Sequence, residues 1–374
     1  MSSQANRVGS KARICVLGPS LEAVSGVSTH LQLLFSSSLN AKYDLLHFQV
    51  GSQGRHENVL VRLVRRMCGP VAFLLFLLRR RPDVVHLNTS LDQKSYWRDL
   101  VFLLLARSFG CTVVFQKHGG PLPQFFFPKS KALSGLFRLV LRVPAAIVVL
   151  GREEGVAYRR FVPGQRVVEI PNAVEPNGVV SRSLAEVKSG PLHLVYIGRI
   201  VKNKGVFDAV EAVARLVGEG RKLRFTFAGT GPDEEGVRVR VRELGLTDTI
   251  QFAGALFGKD KDALWRGADV FVFPTYHLEG LPYALLEGMA AGAVPVTTRV
   301  GAIPDVLEEA VHGLFVPPRD VETLVGALRR LDSDRGLLLR LARAGRQRVL
   351  EHYGVERLGA DFEQLYETVR GQRS

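Results

Sequence analysis

The 374-residue sequence has only three cysteines, Cys15, Cys68 and Cys111, and no two share metal-ligand or redox spacing. That excludes a disulfide framework, and their apolar surroundings lead us to expect three buried, reduced thiols. The nine histidines form no H-x-x-x-H pair, and no carboxylate lies at ligand spacing from one, so no metal is expected. Apolar runs are short: Val71–Leu78 stops at Arg79-Arg80-Arg81 and Leu100–Ala106 at Arg107, far below the ~18 residues of a membrane span. Residues 1–10 have no apolar core, which argues against a secretory signal and for a cytoplasmic protein. Glycine-rich phosphate loops are missing too. Gly229-Thr230-Gly231-Pro232 has Glu234 where G-x-G-x-x-G needs its third glycine, Gly18 is followed by none until Gly26, and no G-x-x-x-x-G-K-[ST] occurs. A dehydrogenase or a P-loop kinase is thereby disfavoured.

Acidic residues are scarce in one half only. Residues 1–180 hold 23 Lys and Arg against 10 Asp and Glu, a net of +13, whereas residues 181–374 hold 27 against 26, a net of +1. A basic half implies an acidic partner such as anionic lipid or phosphorylated substrate. Nucleic acid is disfavoured, because no basic strand is interleaved with aromatics and Phe125-Phe126-Phe127 runs into Pro128.

Near-continuous β-rich apolar runs alternate with longer amphipathic stretches, the pattern of parallel sheets with crossover helices. Strands are expected at 13–17, 43–48, 83–87, 112–115, 145–150 and 167–170, then at 192–197, 224–228, 250–252, 270–273, 293–297 and 314–316. The expected fold class is α/β with two Rossmann-like, doubly wound domains facing a central cleft. Residues 1–170 form the first domain, the Pro-, Gly- and Ser-rich 171–191 the linker, 192–354 the second domain, and 355–374 a helix returning to the first.

Ligands of open α/β sheets gather at the carboxyl ends of strands. After the strand at 270–273 come Glu279-Gly280-Leu281-Pro282, then a helix starting near Pro282 that carries Glu287 in its second turn. A helix N-terminus draws anions, so two carboxylates bracketing one suit a ligand with hydroxyls at both ends and phosphate between. Gly198-Arg199 with Lys202 and Lys204-Gly205 follows the strand at 192–197 and can meet an anion, although a solvated basic loop reads the same way. Ser25-Gly26 opens a helix running through Leu39, and Lys117-His118-Gly119-Gly120 puts His118 at a strand end.

In chain order, the Gly26 loop, Asp83-Val84-Val85-His86, Lys117-His118-Gly119, Ile170-Pro171-Asn172-Ala173-Val174, Gly198-Arg199 with Lys204-Gly205, Gly229-Thr230-Gly231-Pro232, the glutamate pair and Gly301-Ala302-Ile303-Pro304-Asp305 together resemble retaining glycosyltransferases of the GT-B fold, family 4 (group 1). The resemblance implies that Glu287 binds the donor ribose and Glu279 the hydroxyls of the transferred sugar, with Gly280 and Leu281 also in the donor site. Arg199 and Lys204 would neutralise the diphosphate, so that no cofactor or metal is required. The Gly26 amide would add a hydrogen bond, Leu256 would lie near the base through its backbone, and His118 would position the sugar at the reacting centre. The implied donor is a UDP- or GDP-sugar, and the acceptor a glycan or a polyprenyl-diphosphate-linked glycan of bacterial surface polysaccharide synthesis. The basic N-terminal half adds an anionic membrane surface on the inner face as a partner. Ser25-Gly26 departs from the family's usual Gly-Gly, Leu281-Pro282 from Phe-Gly, and Ala302 from glycine. A nucleotide-sugar epimerase of the same architecture is the alternative; it would act on the donor without an acceptor.

Overall fold

The computed structural model of the chain describes residues 11–51, 59–175 and 190–371. They fall into two compact units: the chain up to Ala173 together with the segment from Val355 onward, and Val174–Gly354. Residues 176–189 of the expected linker lie outside the described residues.

The sheet of the first unit holds β1 (Arg13–Gly18), β2 (Asp44–Gln49), β3 (Val84–Thr89), β4 (Thr112–Lys117), β5 (Ala146–Val149) and β6 (Val167–Glu169), all parallel, in the order β2-β1-β3-β4-β5-β6. Side chains alternate across it with period two. Cys15, Leu17, Val85 and Leu87 pack on one face beneath Phe73, Phe102, Phe137 and Tyr158. Ile14, Val16, Val84 and Val114 pack on the other beneath Leu31, Leu34 and the returning helix Val355–Gly371, through its Leu358, Phe362, Leu365 and Tyr366. Burial on both faces is why these strands read as unbroken apolar runs.

The sheet of the second unit holds β7 (Leu192–Ile197), β8 (Leu223–Ala228), β9 (Ile250–Gly254), β10 (Val270–Phe273), β11 (Val294–Thr297) and β12 (Leu314–Phe315), also parallel, in the order β12-β11-β10-β7-β8-β9. Read from the other edge this is the six-stranded Rossmann order, in which the chain winds outward in both directions from one central pair. That pair is β7 and β10. The helix Val206–Gly218 covers the sheet with Val206, Ala209, Val210, Val213 and Leu216, spaced three and four apart as an amphipathic helix requires.

Two expectations are corrected. Cys68 is exposed, while Cys15 and Cys111 are buried. It precedes Val71, Leu75 and Leu78 at steps of three and four on the helix Val59–Arg80, and those three side chains also face outward while Phe73 and Leu77 point into the core. The apolar neighbours read as core are thus the opposite stripe of a helix that is greasy on more than one side. The helix expected through Leu39 stops at Ser36, because the Ser37 backbone turns extended and its hydroxyl donates to the Leu34 carbonyl at 2.7 Å. The helix expected to start near Pro282 does so: Pro282 is its extended cap and Tyr283–Ala291 follows.

Candidate active site

β7 and β10 lie side by side where the winding direction of the sheet changes, and the loops leaving their carboxyl ends carry the candidate residues. The β7 loop makes a short 3-10 turn, Lys202–Lys204, then passes through Gly205 in the left-handed region at φ 73°. A Cβ at Gly205 would stand 2.2 Å from the Pro274 carbonyl oxygen, so only glycine lets the β7 loop reach the β10 loop. Two further contacts hold them together. The Tyr276 amide donates to the Asn203 carbonyl at 2.9 Å, and Asn203 Nδ2 meets His277 Nδ1 at 3.0 Å.

This stitching brings Lys204 Nζ to 3.2 Å from Glu279 Oε1, with Thr275 Oγ1 donating to the same oxygen at 3.2 Å. Glu279 itself is clamped from the far side by Gly301. That residue sits at φ 56°, and a Cβ on it would stand 1.9 Å from the Glu279 carbonyl oxygen. The neighbouring Ala302 amide donates to the Gly280 carbonyl at 3.0 Å. The charge of Glu279 reaches Tyr196 beneath it, whose phenol is pushed up first by burial and then by that carboxylate.

Glu287 occupies a separate cluster one turn and a half along the helix Tyr283–Ala291. Its Oε1 pairs with Lys261 Nζ at 2.7 Å, and Trp265 Nε1 donates to its Oε2 at 3.4 Å. Both partners lie on the helix Gly258–Gly267. Sequence reasoning missed them, although their spacing of four gave the clue that they share one helix face. Arg199 is exposed, and its guanidinium has no ion-pair partner among the described residues. Leu256 is half-buried in the loop between β9 and that helix; Leu281 is buried and Gly280 half-buried. Hence Lys204 and Glu279 meet directly, whereas Glu287 pairs with Lys261 and not with either cation expected at the diphosphate.

In the first unit, Gly26 opens the helix Gly26–Ser36, capped by Ser25 Oγ accepting from the Ser28 amide at 3.1 Å. As the first helical residue its amide has no intrahelical acceptor and is exposed. His30, on the same helix, sets its ring edge-on to that of His118, with centroids 4.7 Å apart. His118 Nε2 bonds Asn88 Oδ1 at 2.8 Å, and its amide donates to the Thr89 carbonyl at 2.8 Å. Burial, then the nearby His86, push the His118 imidazole down to about 3; burial alone outweighs a hydrogen bond to do the same to His86, also to about 3. His30 is driven well below its ordinary value by burial, then by His118 and His86. The residue before His118 is anchored by a buried ion pair, Lys117 Nζ to Glu154 Oε1 at 2.6 Å, with a second bond from Lys117 to the Gly120 carbonyl at 3.2 Å. Among the described residues no cluster of three or more His, Cys, Asp or Glu could hold a metal ion, and no helix is long and apolar enough to cross a membrane.

Two parallel six-stranded sheets with helices on both faces, each with its polar residues at the strands' carboxyl ends, define the GT-B glycosyltransferase fold. Residues 182–348 match the family described as glycosyl transferases group 1. The chain is similar to 2-deoxystreptamine glucosyltransferase of Streptomyces kanamyceticus, at 31% identity over 248 residues and 63% of each chain. It is also similar to the putative colanic acid biosynthesis glycosyltransferase WcaL of Salmonella typhimurium, at 28% over 185 residues, 48% of this chain and 46% of that one. The chain therefore spans about half to two thirds of these relatives' length. Among solved structures, sucrose-phosphate synthase from Thermosynechococcus elongatus matches 97% of this chain and 100% of its own with a TM-score of 0.81 at 17% identity. Anabaena HepE in complex with UDP matches 95% and 100% with a TM-score of 0.76 at 13% identity. These two likenesses concern the fold.

Proposed function

We propose that the chain is a glycosyltransferase that moves a hexosyl group from a UDP- or GDP-sugar to a glycan or polyprenyl-diphosphate-linked acceptor, with retention of configuration and without a metal ion. The observation that carries this reading is the pair of acids at one strand edge, Glu279 beside Lys204 and Glu287 on the helix that follows. A sugar nucleotide presents hydroxyls at both ends and two negative charges between. In this reading Glu287 receives the ribose hydroxyls and Glu279 those of the sugar, while Lys204 and Arg199 stabilise the charge growing on the departing diphosphate. The two starting ion pairs hold the carboxylates in place until the ligand arrives. Gly26 offers its free amide to a phosphate oxygen, His118 positions the sugar, and Leu256 lies near the base. Bacterial surface polysaccharide is the proposed setting, in keeping with the named role of the colanic acid relative.

Titration with UDP-, GDP- and ADP-sugars, with turnover measured on a glycan acceptor, tests the assignment. Glu287→Ala should weaken nucleotide affinity by roughly 10- to 100-fold, the loss of a charge-assisted hydrogen bond. Glu279→Gln should bind nearly as well as wild type but turn over roughly 100-fold more slowly. Unchanged affinity in Glu287→Ala, or an epimer formed from donor alone, refutes the assignment.

A further inference from the structure

The polar groups beneath His118 form a chain whose proton positions follow from chemistry. Asn88, at the carboxyl end of β3 and 4% exposed, bonds the Leu17 carbonyl through Nδ2 at 3.1 Å and His118 through Oδ1 at 2.8 Å. A backbone carbonyl can only accept, so the amide nitrogen of Asn88 must face Leu17 and its oxygen must face the imidazole. The oxygen can only accept in turn, so His118 Nε2 carries the hydrogen. With the imidazole pushed down to about 3, the ring holds that single proton at neutral pH. Nδ1 is left as a lone-pair acceptor with no partner among the described residues. The edge-on ring of His30 and the bond from the His118 amide to Thr89 fix the plane in which that lone pair lies.

We infer that Asn88 is a positioning residue, which locks His118 as its Nε2–H tautomer so that Nδ1 accepts a hydrogen bond from a hydroxyl of the transferred sugar. This rests on the proposed placement of His118 at the reacting centre and adds the direction of its hydrogen bond. His118 then orients the sugar without taking its proton. Asn88 acts through His118 and does not touch the substrate.

Nitrogen NMR of histidine-labelled protein reads the tautomer directly, in the full chain and without any variant. The expected spectrum shows His118 protonated at Nε2 between pH 6 and 8; protonation at Nδ1 overturns the inference whatever the activity. Asn88→Ala should mix the tautomers and lower kcat roughly tenfold, the value of one hydrogen bond, with the donor KM nearly unchanged. Asn88→Asp keeps an acceptor toward Nε2, so the proton should stay there, but it loses the donor to the Leu17 carbonyl and its carboxylate raises the imidazole, so kcat should recover only in part. In a His118→Ala background Asn88→Ala should have no further effect on kcat. Equal losses in the Ala and Asp variants, with the tautomer unchanged in both, overturn the positioning role. Full turnover by His118→Ala, with the tautomer as expected, instead overturns the active-site reading on which the inference rests.

Discussion

The candidate site residues of the two units sit in different electrostatic surroundings. In the second, charges lie open: Lys204 with Glu279, and Lys261 with Glu287, are ion pairs whose side chains keep between 11% and 28% of their surface. In the first, the pair beside His118, Lys117 with Glu154, is sealed at 0% and 5%. His118 and Asn88, next to it, offer neutral imidazole and amide. Half-open pairs can exchange one partner for a ligand at little cost, because water already shares them. Sealed pairs cannot, and they hold a loop rigid instead. The contrast is the one the proposed function calls for, in which the second unit receives a charged diphosphate and His118 meets an uncharged hydroxyl.

The largest effect that could break this contrast is on stability. Lys117→Met strands Glu154 in the core and should cost about 3–5 kcal/mol, whereas Lys261→Met should cost about 1 kcal/mol or less. The chain's two tryptophans fall one to each unit, Trp97 and Trp265. Urea unfolding followed through each in turn, with the other replaced by Phe, separates the units. Similar costs at both sites would erase the distinction between sealed and open pairs.

A smaller effect comes with acid. His86 and His118 have folded values of about 3, against about 6.5 in an unfolded chain, and His30 is lowered in the same direction. The folded forms resist protons, so this stabilisation is whole above about pH 6.5. It is lost as the pH falls toward 3, since the unfolded chain binds protons first. Gln116, Tyr366 and Arg357, which face the cluster, do not reverse that sign. The unfolding midpoint reported by Trp97 should therefore drop between pH 7 and 4.5 by more than that reported by Trp265, whose unit holds the half-buried, lowered His312. Equal drops would mean the histidine cluster contributes nothing special.

The smallest effect concerns the outward face of the first unit. Val71, Leu75 and Leu78, then Trp97, Val101 and Leu104, then Leu136 and Leu139 are exposed apolar side chains on three helices of the half that carries the basic excess. That combination suits a lipid surface with anionic headgroups. Binding to anionic vesicles at low salt should exceed binding to neutral ones severalfold and fade as salt is raised. Equal binding to both would remove the membrane from the set of partners.

All twelve strands were legible in the sequence, because a strand buried on both faces must be apolar along its length. The acid pair and the Gly198-Arg199 loop were legible because strand ends at a change of winding direction carry function. Other features were not. Lys117 and Glu154 are 37 positions apart and charged, so pattern alone places both in water. Lys261 and Trp265 sit on a helix that looks ordinary until the fold sets it beside Glu287. Asn88 reads as the polar end of a strand, and only the Leu17 carbonyl gives its amide a direction. Cys68 misled because a helix with two apolar stripes does not announce which one faces inward.

The helix Val355–Gly371 has a consequence for how the molecule is made. It covers Ile14, Val16, Val84 and Val114, and Tyr366 closes a 2.7 Å bond to His86, 280 positions earlier. The second unit is continuous in sequence and can close as soon as its own residues are available. The first must wait for the last helix, with one face of its sheet only partly covered by Leu31, Leu34 and Leu39. On a ribosome, where chains emerge from the N-terminus, the half of the protein that is synthesised first is thus the half that finishes folding last.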